Sequence, residues 1–268
     1  MTPGEKWLID RLAEVVSGTT DGSARALQED EQGHVMGFGL RNRILPVLFG
    51  RGRRELFPPS MLAVMRAAYH DQAVRNLRGF ALLGGVLRSL SDREIPVIVL
   101  KGGFLAENVY RNIACRPMYD FDLLVRQANR EEVDRILSAQ GFSLTVPDKP
   151  LPESIYQHSA TSMRLEIHWH ISADQRSSFE VEDLWAGTMP TTVGGAHALA
   201  LRPEVLLAHL CEHFTHHAFV LPALHLFDIA MVVRHYGAEL DWPQFVVLAR
   251  RWNMRRATFL LLRQVERL

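Results

Sequence analysis

Cysteine is scarce: the 268 residues hold two, Cys115 and Cys211. Two are too few for a disulfide framework or a four-cysteine zinc site, and they read as free thiols of a reducing compartment. Net charge is lacking as well, with 30 Lys and Arg balanced by 30 Asp and Glu. A chain that coats nucleic acid without sequence preference needs a basic surface, so the balance argues against that class, although it does not exclude a local basic patch. No apolar run approaches the roughly 18 residues of a membrane span. The opening residues, Met1-Thr2-Pro3-Gly4-Glu5-Lys6-Trp7, lack the basic-then-apolar order of a signal peptide. A cytoplasmic protein with no membrane partner is expected. Repeats and low-complexity segments are absent. What is left is an ordinary globular composition, 47% hydrophobic and 22% charged, enough for one large domain or two small ones.

Helical patterning fills both ends of the chain and strand patterning fills the middle. Thr2, Pro3 and Glu5 read as N-cap, first helical residue and capping-box partner of an opening helix. The run from Ser17 to Gly22 breaks that helix, and a second is expected to start near Ser23. Residues 34–39 are punctuated by glycine, and 41–49 read as a short helix. Ser60 is a candidate cap for a long helix running to 78 and onward to 91, in which Gly79, Gly84 and Gly85 mark kinks or close packing. Strands are expected at 97–100, 120–125, 142–146 and 162–171. Helices are expected at 104–110 and 128–140 between them, and a loop carries Pro147, Pro150 and Pro152. From Pro203 the pattern is helical to the end, with starts at Pro222 and Asp241 and a last segment over 250–268. The fold class is α+β, a small mixed sheet flanked by helices. Its divisions are 1–93 (helical), 94–200 (α/β core) and 201–268 (helical).

The chemistry concentrates in Val97–Val125. Side chains two apart on a strand share a face, so Asp120 and Asp122 project together while Phe121 turns into the core. Like charges placed this way repel unless a cation lies between them, and Mg²⁺ is commonly held by one or two carboxylates plus phosphate oxygens. Gly102 and Gly103 follow the apolar strand at a helix start, where the backbone can approach a phosphate. Farther on, Ser162-Met163-Arg164-Leu165-Glu166-Ile167-His168-Trp169-His170-Ile171 alternates strictly. Arg164, Glu166, His168 and His170 fall on one face and Leu165, Ile167, Trp169 and Ile171 on the other. Two carboxylates, a third on another strand and a glycine turn fit a metal-bound triphosphate, with two Mg²⁺ (or Mn²⁺) ions bridging carboxylates and phosphates.

Leu100-Lys101-Gly102-Gly103, then Arg116, then Asp120-Phe121-Asp122-Leu123-Leu124-Val125, then Leu165-Glu166-Ile167-His168-Trp169 resemble an uncharacterised branch of the DNA polymerase β-type nucleotidyltransferase superfamily. The resemblance implies a mixed sheet with helices packed on it, and transfer of a nucleoside monophosphate from an NTP to an acceptor hydroxyl. It implies that Asp120 and Asp122 hold two Mg²⁺ ions, and that Glu166 helps bind the catalytic metal and takes the acceptor's proton. The superfamily's glycine turn commonly reads Gly-Ser, whose hydroxyl meets phosphate; here it is Gly102-Gly103, and the turn lies farther from the aspartates than in compact members. Lys101 or Arg116 would replace that contact, each reading equally as a surface charge, and His168 is a candidate for phosphate or acceptor contact. With zero net charge, a small molecule or a protein is the expected acceptor. The sequence sets no oligomeric state and is compatible with a homo-oligomer.

Two other readings compete. One keeps the fold as a catalytically inactive binding or regulatory module, supported by the loss of Gly-Ser. The other is a zinc hydrolase built on His209, His213 and His217, which recur at i, i+4, with His216 beside them; the order around Glu212-His213 is not that of the zincins. Asp228, inside an apolar helix, is either a buried, paired carboxylate or a cleft residue. Arg51, Arg53 and Arg54 form a basic loop without interleaved aromatics, and Cys115 lies beside Arg116, whose charge would activate a thiol.

Overall fold

The computed structural model describes residues 2–20, 24–27, 29–146, 153–170 and 180–268. The helix start expected at Ser23, the loop residues Pro147, Pro150 and Pro152, and Ile171 lie outside them. Four helices lead the chain: α1 (Pro3–Ser17), α2 (Gln32–Arg41), α3 (Leu45–Arg51) and α4 (Pro59–Ser91). The middle carries β1 (Val97–Val99), α5 (Lys101–Phe104, running into a π-helical turn, Leu105–Val109), β2 (Asp120–Val125), α6 (Arg130–Ala139), β3 (Phe142–Val146), β4 (Glu153–His158), β5 (Arg164–His168), α7 (Val181–Ala186), β6 (Thr188–Val193) and β7 (Ala196–Leu201). Helices α8 (Pro203–His216), α9 (Ala223–Tyr236), α10 (Trp242–Arg251) and α11 (Arg255–Val265) complete it.

The strands form one mixed sheet in the order β3-β4-β5-β2-β1-β7-β6. β1 and β2 hold the centre. β1 runs antiparallel to β2 and parallel to β7, while β2 runs parallel to β5. A strand flanked on both edges and covered on both faces needs apolar residues throughout. Val97, Ile98 and Val99 are all buried, as are Phe121 through Val125. Helix α4 packs on the sheet at close range. A Cβ on Gly79 would lie 2.7 Å from Phe121, and one on Gly84 would lie 2.1 Å from the Gly194 carbonyl oxygen. These glycines therefore serve contact, not kinking. One hydrophobic core runs through all three stretches of the chain, from Trp7 through the sheet to Leu261.

Several local readings hold. Thr2 accepts from the Glu5 N–H while the Glu5 carboxylate accepts from the Thr2 N–H, closing the capping box. β2 and β3 match their expected bounds, and β1 and β5 fall inside theirs. Others shift. α4 begins at Pro59, whose fixed φ suits the first helical position, and Ser60 bonds Gln32 instead of capping. The glycine-punctuated stretch becomes helix α2, in which Gly39 admits Leu45 and Leu8 at close range. Gly102 and Gly103 lie inside α5, not ahead of a helix. β4, β6 and β7 were not anticipated. β6 and β7 pair through Gly194-Gly195, both at positive φ, a glycine pair of the kind hairpin turns demand. No helix among the described residues is long and apolar enough to cross a membrane.

Candidate active site

β2 and β5 lie side by side in parallel, with Asp120 opposite Arg164, Asp122 opposite Glu166 and Leu124 opposite His168. Alternation turns Phe121, Leu123, Leu165 and Ile167 into the core and gathers the ionisable residues on the other face. Asp122, Glu166 and His168 each offer one ligand atom, and the three atoms lie within 4.8 Å of one another. This is the one such group of His, Cys, Asp and Glu found among the described residues. Asp120 stands on the same cavity wall but outside that group. β5 ends at His168, so Trp169 leaves the alternation and packs under the Arg130 guanidinium, 3.6 Å from its ring centroid.

Asp122 is the electrostatic centre. Its Oδ1 accepts from Lys101 Nζ at 2.7 Å and lies 3.0 Å from His168 Nε2; Nδ1 of the same imidazole is 3.3 Å from Glu153. Burial alone would raise the Asp122 pKa, but Lys101 and His168 outweigh it and hold the carboxyl well below its usual range. Burial and the Asp122 charge push Asp120 up, and burial with the charges of Asp122 and Asp120 pushes Glu166 to about 7. Arg164 donates to Glu166 Oε1 at 3.1 Å. Lys101 is half-buried; burial pulls its pKa down, the Asp122 charge more than compensates, and the ammonium is stabilised. Lys101 also takes φ +42°, a left-handed conformation costing a non-glycine residue on the order of 1 kcal/mol. The Leu100 N–H, bonded to the Asp122 carbonyl at 2.9 Å, and the ion pair to the same residue hold it there.

Arg116 is no surface charge. It is buried, donates to Asp228 Oδ2 at 2.7 Å from Nη2 and to Oδ1 at 3.3 Å from Nε, and packs on Gly102, where a Cβ would lie 2.4 Å from Nη1. Asp228 is the buried, paired carboxylate, with Tyr110 Oη donating to it at 2.7 Å. A Cβ on Gly103 would lie 2.9 Å from Val99 and 3.2 Å from Phe121. The missing serine thus has a packing cause at Gly103, where a side chain would press on Val99 and Phe121; at Gly102 it would displace the ends of the Arg116 and Met118 side chains.

A cavity of about 420 Å³ opens over this surface, with the two aspartates, Glu166, Lys101, Gly102 and Arg116 on one side and His213, His216, His217 and His225 from α8 and its junction with α9 on the other. A second cavity, about 670 Å³, meets the first at Met118, Tyr119 and Asp120. Tyr119 is half exposed between the guanidiniums of Arg43 and Arg75, 4.7 and 5.5 Å from its ring centroid. Glu153, Arg43, Tyr119 and His225 escaped sequence reasoning. His225 sits one turn before Asp228 and Tyr119 adjoins Asp120, which are usable signals; Arg43 and Glu153 arrive from distant segments and carry none.

The helix histidines form no metal group. His209 is buried with neither ring nitrogen hydrogen-bonded, and burial drives its pKa down to about 3. Both cysteines are free and buried, and burial raises each thiol, Cys211 to about 12, which removes the reason to expect an activated Cys115. The basic residues stay at the surface and are tied to the protein's own groups: Arg51 bonds the Tyr110 carbonyl, Arg54 the Phe49 carbonyl, and Arg53 pairs with Glu55.

The family model described as "Uncharacterised nucleotidyltransferase" matches residues 30–268. None of the curated proteins matches the chain. Among solved structures, the chain is similar to the antibiotic-resistance factor ANT(2'')-Ia at 14% identity, covering 72% of this chain and 98% of that one with a TM-score of 0.49. It is similar to the lincosamide antibiotic adenylyltransferase LnuA at 17% identity, over 56% and 94% of the two chains with a TM-score of 0.41. An antigenic nucleotidyltransferase-like protein from Paracoccidioides brasiliensis is 14% identical over 68% and 92%, with a TM-score of 0.42.

Proposed function

The chain belongs to the uncharacterised nucleotidyltransferase family, and on that premise we propose that it moves a nucleoside monophosphate from an NTP to a hydroxyl of a small-molecule or protein acceptor, with Mg²⁺ or Mn²⁺. The observation that carries this reading is the Asp122–Glu166 pair, in register on adjacent parallel strands with His168 beside it. The group fits a divalent cation. Three ligand atoms converge, and the mutual repulsion that raises Asp120 and Glu166 is what a cation would relieve. Asp122 and Glu166 would hold the ion with His168, and Asp120 adds a carboxylate at the rim. A bound cation would acidify the attacking hydroxyl and stabilise the departing pyrophosphate.

The protein's own groups supply the rest. Lys101, half-buried, and Arg116, buried and paired with Asp228, bring two positive side chains to the wall that carries Gly102, where a triphosphate would need neutralising. Gly102 lets the Arg116 guanidinium lie directly against the backbone of this wall. Glu166 has one oxygen engaged by Arg164, and its other oxygen is the carboxylate atom that would take the acceptor's proton. The second cavity, joined to the first at Asp120, gives an acceptor its own approach, and its size is that of a small-ligand site. Zero net charge speaks against long nucleic acid as acceptor. A cytoplasmic location accords with the free thiols.

The test is Asp122→Asn. Wild-type protein is expected to gain thermal stability with Mg²⁺ and an NTP, and the variant to lose that gain and all transfer of labelled nucleotide. An equal thermal shift in both would sink the reading. One observation favours the inactive alternative: Lys101 Nζ already neutralises Asp122. That alternative predicts no Mg²⁺-dependent binding of any NTP.

A further inference from the structure

The first cavity is lopsided in its chemistry. Its sheet side is charged. Its opposite side is made of imidazoles: His213 meets His217 edge-on with centroids 4.6 Å apart, His216 meets His217 at 5.4 Å, and His225, from the next helix, lies 5.6 Å from His213. Leu221 and Pro222 complete that side. No carboxylate is hydrogen-bonded to His213, His216 or His217 among the described residues; Asp228 is 4.0 Å from His225 and already taken by Arg116. The rings converge on no metal-ligand geometry, so a zinc role does not account for them.

An NTP is lopsided in the same way, a polyanion at one end and a flat, neutral, aromatic ring at the other. The metal group, Lys101 and Arg116 claim the polyanion. We infer that the imidazole wall of His213, His217 and His225 is the nucleobase subsite, where the base packs on the exposed faces of the rings; this rests on the reading of the site as one for an NTP. A wall of uncharged rings suits a base and not a phosphate. Burial holds His213 far below its usual pKa, His225 at about 4, and His217 lowered, with Lys101 adding to each. Stacking on such a wall is tolerant of base identity, because every base presents a π-face. The spacing of two of the row's histidines is thereby explained: the last turn of α8 and its C-cap bring His213 and His217 together at this cavity.

The experiment compares affinities, by calorimetry with Mg²⁺, for ATP, GTP, CTP, UTP and inorganic tripolyphosphate. Wild-type protein is expected to bind its best NTP roughly tenfold or more tightly than tripolyphosphate, the worth of one stacked base. His217→Ala, at the more exposed ring, is expected to shrink that margin severalfold and leave tripolyphosphate unchanged. His213→Phe, which keeps a ring in the buried position, is expected to retain the margin, with far-ultraviolet circular dichroism confirming the fold. Wild-type binding of tripolyphosphate as tightly as every NTP overturns the inference, and so does an equal loss for NTP and tripolyphosphate in His217→Ala. Failure of the wild type to bind any of the five overturns the nucleotidyltransferase reading itself, which keeps the two failures distinct.

Discussion

His209→Leu should stabilise the protein in acid. His209 is 1% exposed on α8, and neither ring nitrogen has a hydrogen-bond partner. Burial lowers its pKa to about 3, and the Lys101 charge adds to the effect. In the unfolded chain the imidazole titrates near 6.5. The sign follows directly. Above pH 6.5 neither state is protonated and the residue adds no pH dependence. As the pH falls below that value the unfolded state takes a proton and the folded state refuses it, so stability drops until about pH 3. At pH 5 the loss is about 2 kcal/mol, from about 1.5 pH units at 1.36 kcal/mol each. Leucine cannot titrate and leaves no unsatisfied nitrogen, each of which costs about 1–3 kcal/mol when buried. Urea unfolding of both proteins at pH 8, 7, 6 and 5 should show the variant at least as stable at pH 8 and its advantage widening by about 2 kcal/mol by pH 5. His213 and His225 shift in the same direction and persist in both proteins, so the difference isolates His209. A gap that stays constant with pH, or narrows in acid, refutes the reasoning.

Two further outcomes concern the phosphate wall. Gly103→Ser, which restores the superfamily's Gly-Ser order to the turn, should lower the melting temperature and weaken NTP binding. Its Cβ would lie 2.9 Å from Val99 and 3.2 Å from Phe121, overpacking of a kind that costs about 1–3 kcal/mol; a gain in NTP affinity would show that the turn has room for the hydroxyl. Asp228→Asn strips the fully buried partner from Arg116 and should cost about 3–5 kcal/mol in denaturant unfolding, the penalty of an uncompensated buried charge. A loss below 1 kcal/mol would mean that Arg116 finds water or another anion.

What the sequence disclosed and what it hid divide along a physical line. Alternation is a local property, so Asp120–Val125 and Arg164–His168 could be read as strands and their ionisable faces identified. Register is not local. Nothing in either segment says that Asp122 sits opposite Glu166 or that the two strands run parallel; that follows from sheet order, which joins segments more than forty residues apart. Glu153 was invisible for the same reason, entering through β4 as the partner opposite His168. The glycines were legible as glycines, but their cause was not. Gly79 and Gly103 are both closed off by Phe121, a relation among three separate elements. Arg116 shows the limit most plainly. A lone arginine before a proline reads as a surface charge or a phosphate contact, and its burial depends on Asp228, more than a hundred residues away.

The two aspartates carry the same signal in the sequence and opposite electrostatics in the fold, and that difference bears on how they divide the work. Asp122 lies one residue pair deeper along β2, opposite Glu166, with Lys101 and His168 on one of its oxygens, and it stays ionised. Asp120 begins the strand opposite Arg164, has no hydrogen-bond partner among the described residues, and is pushed up by burial and by its neighbour's charge. It is also the one carboxylate of the three that borders both cavities. If both substrates bind as proposed, a cation can reach Asp122 at Oδ2, because Lys101 and His168 both engage Oδ1. Asp120 has no hydrogen bond on either carboxylate oxygen among the described residues, and it would face the nucleotide on one side and the acceptor on the other. The strand that presents them thus offers a tightly held charge and a loosely held one two residues apart.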